Sequence, residues 1–204
     1  NVQSAVDTQH HLIVTHEVTN VGSDRSQISR MSEQARAAIV SETIEAVADR
    51  GYYSGEEIVA CEQAGITVYL PKPMTSGLLA KGRFGKHDFV YVAADDVYLC
   101  PSREQLTYHY TNEEEGKTLR RYWTTACQAC ALKSNCTTGK ERRISRWEHE
   151  AVLEAVQARL DRNPTKMRER RQCGASLRYD KVLDGSHALP NENAQERQYR
   201  NGAT

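Results

Sequence analysis

Val47-Ala48-Asp49-Arg50-Gly51-Tyr52-Tyr53-Ser54-Gly55-Glu56-Glu57-Ile58 is the stretch that decides how this chain is read. An acid ends a short apolar run, a glycine turn follows, and a helix begins. Ile44, Ala46, Val47 and Ala48 read as a buried strand. That puts Asp49 at the carboxyl end of the strand, where open α/β sheets place their chemistry. Ser54 with Glu57 three residues later has capping-box spacing, so a helix is expected from there. A carboxylate fixed at a strand end suits a hard divalent cation. The plainer alternative is a turn aspartate beside a glycine.

Upstream, residues 2–6 and 12–18 alternate as an antiparallel pair. Ser23 or Asp24 can cap a helix reaching about residue 40, with Ile28, Met31, Ala35, Ala38 and Ile39 facing inward. Downstream, a helix over 56–63 closes at Gly65. Residues 66–70 form a buried parallel strand, ended by Pro71 and Pro73. Beyond Thr75 the composition changes to short aromatic-rich strands, 88–91, 97–100, 106–110 and 119–123, separated by polar turns. From 144 to about 160 the pattern is helical, with Trp147, Ala151, Val152, Ala155 and Val156 in step. Asn163-Pro164 breaks it, and a second helix starts near Thr165. The expected regions are an α/β core over 1–74, a β-hairpin insertion over 75–138, a basic helical segment over 139–172 and a tail over 173–204.

The chain has 204 residues, enough for a real core, and its formal net charge is zero. There is no global signature for nucleic acid. Between Gly139 and Gln172, however, ten Lys or Arg stand against six acids. Lys140, Arg142, Arg143, Arg146, Lys166 and Arg168 are therefore candidate phosphate contacts; a solvated helix face is the alternative. Nothing approaches a membrane span or a secretory leader, so no membrane partner is expected. The first residue is Asn1 rather than Met, so the stretch is expected to begin in mid-strand as part of a longer chain.

Six cysteines without a leader suggest a reducing, cytoplasmic setting and metal ligation rather than disulfides. Cys127-Gln128-Ala129-Cys130 followed by Cys136 offers three thiols, and Cys100 is the natural fourth. Four thiolates with no open position would make a structural Zn²⁺ site. Lys133 would temper its charge, His109 is a weaker ligand candidate, and Cys61 belongs to a core face. A set of reduced thiols in a small hairpin domain is the alternative.

Several of these words occur together, in order, in one family. Asn1-Val2-Gln3-Ser4-Ala5-Val6-Asp7, His16-Glu17-Val18-Thr19-Asn20, Ala48-Asp49-Arg50-Gly51-Tyr52, Pro71-Lys72-Pro73, Gly82-Arg83-Phe84-Gly85-Lys86 and the cysteine cluster resemble the DDE transposases of bacterial insertion sequences. The likeness runs to about Gln172. It implies a partial ribonuclease H-like α/β fold with a β-rich, cysteine-containing insertion and C-terminal helices. It implies DNA strand transfer with Mg²⁺ or Mn²⁺, element ends and target DNA as partners, and a homodimer in the intact family. Asp49 matches the family's second catalytic acid.

The family's first aspartate lies on a strand upstream of the segment that resembles residues 1–7, and Asp7 is only a possible stand-in. The glutamate word, Y-x2-R-x3-E-x6-K, is matched at Arg171, which would contact phosphate or position the glutamate. Arg168 replaces its tyrosine and Ala175 its glutamate. Codons for 173–201 read one base later permit a string containing E-x6-K, which suggests a frameshifted tail. With one acid of three, this chain is expected to be inactive in strand transfer by itself. A non-catalytic DNA-binding remnant or an unstable pseudogene product is the alternative.

Overall fold

The computed structural model describes residues 1–73 and 77–173. The expected tail beyond 173 lies outside them. The chain is mixed α/β and divides into two units, Asn1–Pro71 with the segment from Arg159 onward, and Lys72–Ala158.

In the first unit, β1 (Val2–Val6) and β2 (Ile13–Val18) pair antiparallel, with Val2 opposite Val18 and an irregularity at Ala5/Val6. Helix α1 (Ile28–Ala38) follows a single 3₁₀ turn whose N-cap is Ser23. Ile28, Met31 and Ala35 are buried as expected; Ala38 and Ile39, also expected inside, are exposed. Ala38 is the last helical residue and Ile39 the C-cap.

Strand β3 (Ile44–Val47) runs parallel to β4 (Ile66–Tyr69), with Ile44 opposite Ile66 and Val47 opposite Tyr69. Parallel neighbours need a crossover, and α2 (Gly55–Gln63) lies within it. Gly65, at φ +71°, closes that helix in the left-handed region open to glycine. Strand β4 is buried, whereas β3 is only half-buried rather than fully inside. Ile58, Cys61, Ile66, Val68 and Leu70 form the centre of the core.

The expected capping box at Ser54 does not form. The Ser54 hydroxyl donates to Glu56 Oε2 at 2.7 Å. Glu57 instead accepts from the backbone N–H of Ser29 at 3.0 Å, tying α2 to the start of α1. A tertiary donor has outcompeted the local one.

The second unit is a five-stranded antiparallel sheet in the order β5-β6-β7-β8-β9. Its strands are Val90–Val92, Val97–Leu99, Gln105–Glu114, Lys117–Trp123 and Ile144–Trp147. The last contradicts the helix expected from residue 144. Ile144 and Arg146 are buried while Ser145 and Trp147 are half-exposed, a period of two. Ile144 pairs with Tyr122, so a ladder was available to claim the segment. Helical period begins only at α4 (Glu150–Arg162). Short α3 (Lys133–Cys136) lies between β8 and β9.

Phe89, Tyr98, Leu106, Tyr122 and Ile144 make the core of this sheet, with Phe84, Tyr91, Cys100 and Cys136 packed against it. Tyr98 and Tyr122 meet edge-on at 5.2 Å between ring centres. Asp96, in the β5–β6 turn at φ +53°, accepts hydrogen bonds from Tyr91 (2.7 Å), Tyr122 (2.8 Å) and Arg120 (2.5 Å). Those bonds hold a non-glycine residue in the left-handed region.

Candidate functional site

The β3–β4 ladder extends one step past β3, where Ala48 N–H donates to Tyr69 O at 3.2 Å. Asp49 is the next residue and caps a 3₁₀ turn over Arg50–Tyr52. Its Oδ1 accepts from Gly51 N–H at 2.8 Å. A Cβ on residue 51 would stand 2.9 Å from that oxygen, so glycine is what permits the contact. Oδ2 accepts from the Arg170 guanidinium. The strand end, the turn and the glycine read from the sequence are thus all present.

Residues 166–173 are helical. Lys166 Nζ pairs with Glu45 Oε2 at 2.9 Å, Arg170 with Asp49, and the Cys173 thiol lies 3.9 Å from Asp7 O. One face of this short helix therefore follows the carboxyl end of β3 and reaches the end of β1. Arg171 points elsewhere, its Nε donating to Met167 O at 3.4 Å, and it is exposed. The arginine that meets Asp49 is Arg170, which the sequence reading missed. A step of one residue turns a helix by about 100°, enough to change the face. The i, i+4 spacing of Lys166 and Arg170 opposite Glu45 and Asp49 was the available signal. Cys173, assigned to the tail, is instead buried.

Asp49 borders a cavity of ≈ 480 Å³ lined by Val2–Asp7 of the β1 segment, Ile44–Ala48, Tyr52, Arg170, Cys173 and the inner face of α1. Gln3, 2% exposed, donates to Asp24 at 2.6 Å and accepts from the Tyr52 hydroxyl at 2.5 Å. Burial pushes the Tyr52 phenol up, with Asp24 and Asp49 adding to the effect. Asp7 also lines the cavity, but its carboxylate accepts from the backbone of Gln9 and His10 and from the His10 ring. The two backbone bonds lead in holding its carboxyl below the ordinary value. Asp7 is thus a turn-capping acid in this arrangement.

In the second unit, Cys100, Cys127, Cys130 and Cys136 line one cavity of ≈ 20 Å³ with Phe84, Phe89, Leu106, Leu132, Lys133 and Arg142. All four are free thiols. Among the described residues, no three His, Cys, Asp or Glu stand together as a ready metal site. His109 takes no part, being stacked on Trp123 at 3.4 Å between ring centres. Cys61 is fully buried in the first unit, on the core face expected of it.

The candidate phosphate contacts divide. Arg146 is 8% exposed, forks onto the Glu154 carboxylate at 2.5 and 2.9 Å, and lies over the Tyr91 ring. It is a core cation, not a surface contact, because its strand turns it inward. Arg142 is half-buried over Phe89, and Arg143 pairs with Glu141 and covers Trp123. Lys166 is engaged by Glu45 and Glu169. Lys140 and Arg168 are exposed.

Sequence reasoning also passed over Glu150. This buried acid meets Lys86 at 2.8 Å and Lys72 at 3.9 Å. Burial pushes its carboxyl up, but the two lysines outweigh burial and leave it lowered.

Comparison with protein-family models, with curated proteins and with solved structures finds no match. No helix among the described residues is long and apolar enough to cross a membrane.

Proposed function

We propose that this chain works in DNA transposition as a DDE transposase of the bacterial insertion-sequence kind. Its first unit is read as a ribonuclease H-like core, and Asp49 as one ligand of a catalytic Mg²⁺ or Mn²⁺. The observation that carries the reading is the placement of Asp49. It sits immediately past the carboxyl end of a parallel strand, oriented by Gly51, and borders a cavity of ≈ 480 Å³.

The shape of that cavity adds support. Among the described residues, β1 pairs only with β2, and β3 only with β4. Residues of both β1 and β3 line the cavity. One strand inserted there would pair both open edges and join the two small sheets into a continuous mixed sheet, as the ribonuclease H-like reading requires. A strand in that position would also bring its own carboxyl end near Asp49.

A bound pair of divalent cations would supply the activated hydroxyl and the stabilised leaving oxygen of an in-line phosphoryl transfer. The chain's own part is positional. The Gly51 N–H fixes one oxygen of Asp49, and the other must be released by Arg170 before it can bind a cation. Released, Arg170 is a cation beside the site, able to face a DNA phosphate. Lys140 and Arg168 are the exposed members of the basic stretch suited to the DNA backbone.

Paramagnetic broadening by Mn²⁺ tests the site. Amide signals of Gly51 and Tyr52 should broaden in the native chain and stay sharp in Asp49→Asn. Equal broadening in both would remove Asp49 from the metal site. No DNA strand transfer is expected from these 204 residues alone. Robust Mn²⁺-dependent nicking by them would overturn the requirement for further acids.

A further inference from the structure

We propose that Cys100, Cys127, Cys130 and Cys136 form a structural tetrathiolate Zn²⁺ site whose surplus negative charge is balanced by Arg142. The inference rests on the second unit alone and stands whether or not the chain is a transposase.

Three independent segments deliver the thiols. Cys100 directly follows β6 in a tight turn, where its N–H donates to Glu104 O at 3.0 Å and its carbonyl accepts from Arg103 N–H at 2.7 Å. Arg103 sits at φ +63°, so the turn is sharp. Cys127 lies within a 3₁₀ turn opened by Thr124, Cys130 caps its end, and Cys130 N–H donates to Cys127 O at 3.4 Å. Cys136 ends α3. All four converge on one cavity of ≈ 20 Å³, Cys100 and Cys136 from the edge of the hydrophobic core. A void of this size admits one small ion or water-sized body. Phe84, Phe89, Leu106 and Leu132 give much of its lining an apolar character.

Zn²⁺ takes four thiolates tetrahedrally, each sulfur about 2.3 Å from the ion. The thiols do not yet stand at that geometry, so loading requires them to close inward by side-chain rotation. Four thiolates on one divalent ion leave an excess of negative charge. Arg142 lines the same cavity, and its Nε–H is buried without a hydrogen-bond partner. An orphaned buried donor on a cation is rare and calls for an acceptor. A thiolate sulfur formed on metal binding would be that acceptor. The rest of the guanidinium is already anchored, with Nη1 donating to Cys136 O at 3.5 Å and the group lying over Phe89. Lys133 also lines the cavity.

The test uses the full chain prepared under reducing conditions and loaded with Zn²⁺ or with Co²⁺ as a spectroscopic probe. The expected result is one zinc per chain by elemental analysis, with the thiolate charge-transfer and tetrahedral bands of a cobalt tetrathiolate. Cys127→Ser/Cys130→Ser should lose both signals, and Cys173→Ser should keep them. Arg142→Met should bind zinc about 10–100-fold more weakly, the range for groups supporting metal ligands. Absence of stoichiometric metal in the native chain, an octahedral cobalt spectrum, or a stable Cys127–Cys130 disulfide under the same conditions would overturn the site. These readouts on the native chain do not depend on any variant folding. An unchanged affinity in Arg142→Met would overturn the role given to Arg142.

Discussion

The guanidinium of Arg170 holds the carboxylate oxygen of Asp49 that Gly51 leaves open. A cation approaching Asp49 must displace it. Both side chains are more than a third exposed, so the pair is worth at most about 1 kcal/mol. Arg170→Ala should therefore tighten Mn²⁺ binding at Asp49 by up to about five-fold, read from the titration of Gly51 amide broadening. Weaker binding in that variant would mean that Arg170 helps to build the metal site rather than guard it.

Asp96 sets an acid limit on the second unit. Burial raises its carboxyl, but hydrogen bonds from Tyr91 and Tyr122 and the charge of Arg120 outweigh that and leave it below the ordinary 3.8. A group lowered on folding stabilises fully above its unfolded value and loses that contribution as pH falls through the folded one. Stability of this unit should therefore fall below about pH 4. Asp96→Asn should flatten that limb in a series of melts between pH 2 and pH 6. An unchanged slope would show that the three donors do not favour the charged form.

Ser54 and Glu57 should separate cleanly. Ser54→Ala removes no helix cap and should cost only a few tenths of a kcal/mol, well under the ~1 kcal/mol usual for a working N-cap. Glu57→Ala strips the acceptor from Ser29 N–H and should cost roughly 1–2 kcal/mol. Urea denaturation of the two variants decides between them. The reverse order would restore the local capping box.

DNA binding should follow exposure rather than sequence charge. Lys140→Ala and Arg168→Ala should each reduce the salt dependence of binding to a duplex by about 0.9 in log–log slope. Arg146→Ala should leave the slope alone and lower the melting temperature, since its partners are Glu154, Tyr98 and Tyr91. A slope change in Arg146→Ala without loss of stability would return it to the surface.

Legibility tracked how local each determinant was. The two strand pairs of the first unit, α2 and its Gly65 stop were readable because period, turn residue and burial agree within a few positions. The convergence of four cysteines was readable from the affinity of a C-x-x-C turn for one centre, and the structure brings all four to one cavity. The strand Ile144–Trp147 was not readable. Trp147 fits a helical stripe with Ala151 as well as it fits a strand, and only pairing with β8 decides. Arg170 was hidden for a similar reason. Its importance lies in a partner 121 residues away, and its neighbour Arg171 carried the motif. Glu57 was misread because its true donor, Ser29, is distant in sequence.

The two-stranded sheets of the first unit have a consequence for how the protein behaves in a tube. Val2, Leu12, Ile13 and Val18 are each more than half exposed on the β1–β2 hairpin, which pairs with no other strand among the described residues. Open strands of this kind template addition of further strands from other molecules. Self-association should therefore grow with concentration in preparations of this chain. An extended peptide that completes the ladder would act as a solubiliser, holding the molecules apart by occupying the place where they would otherwise join.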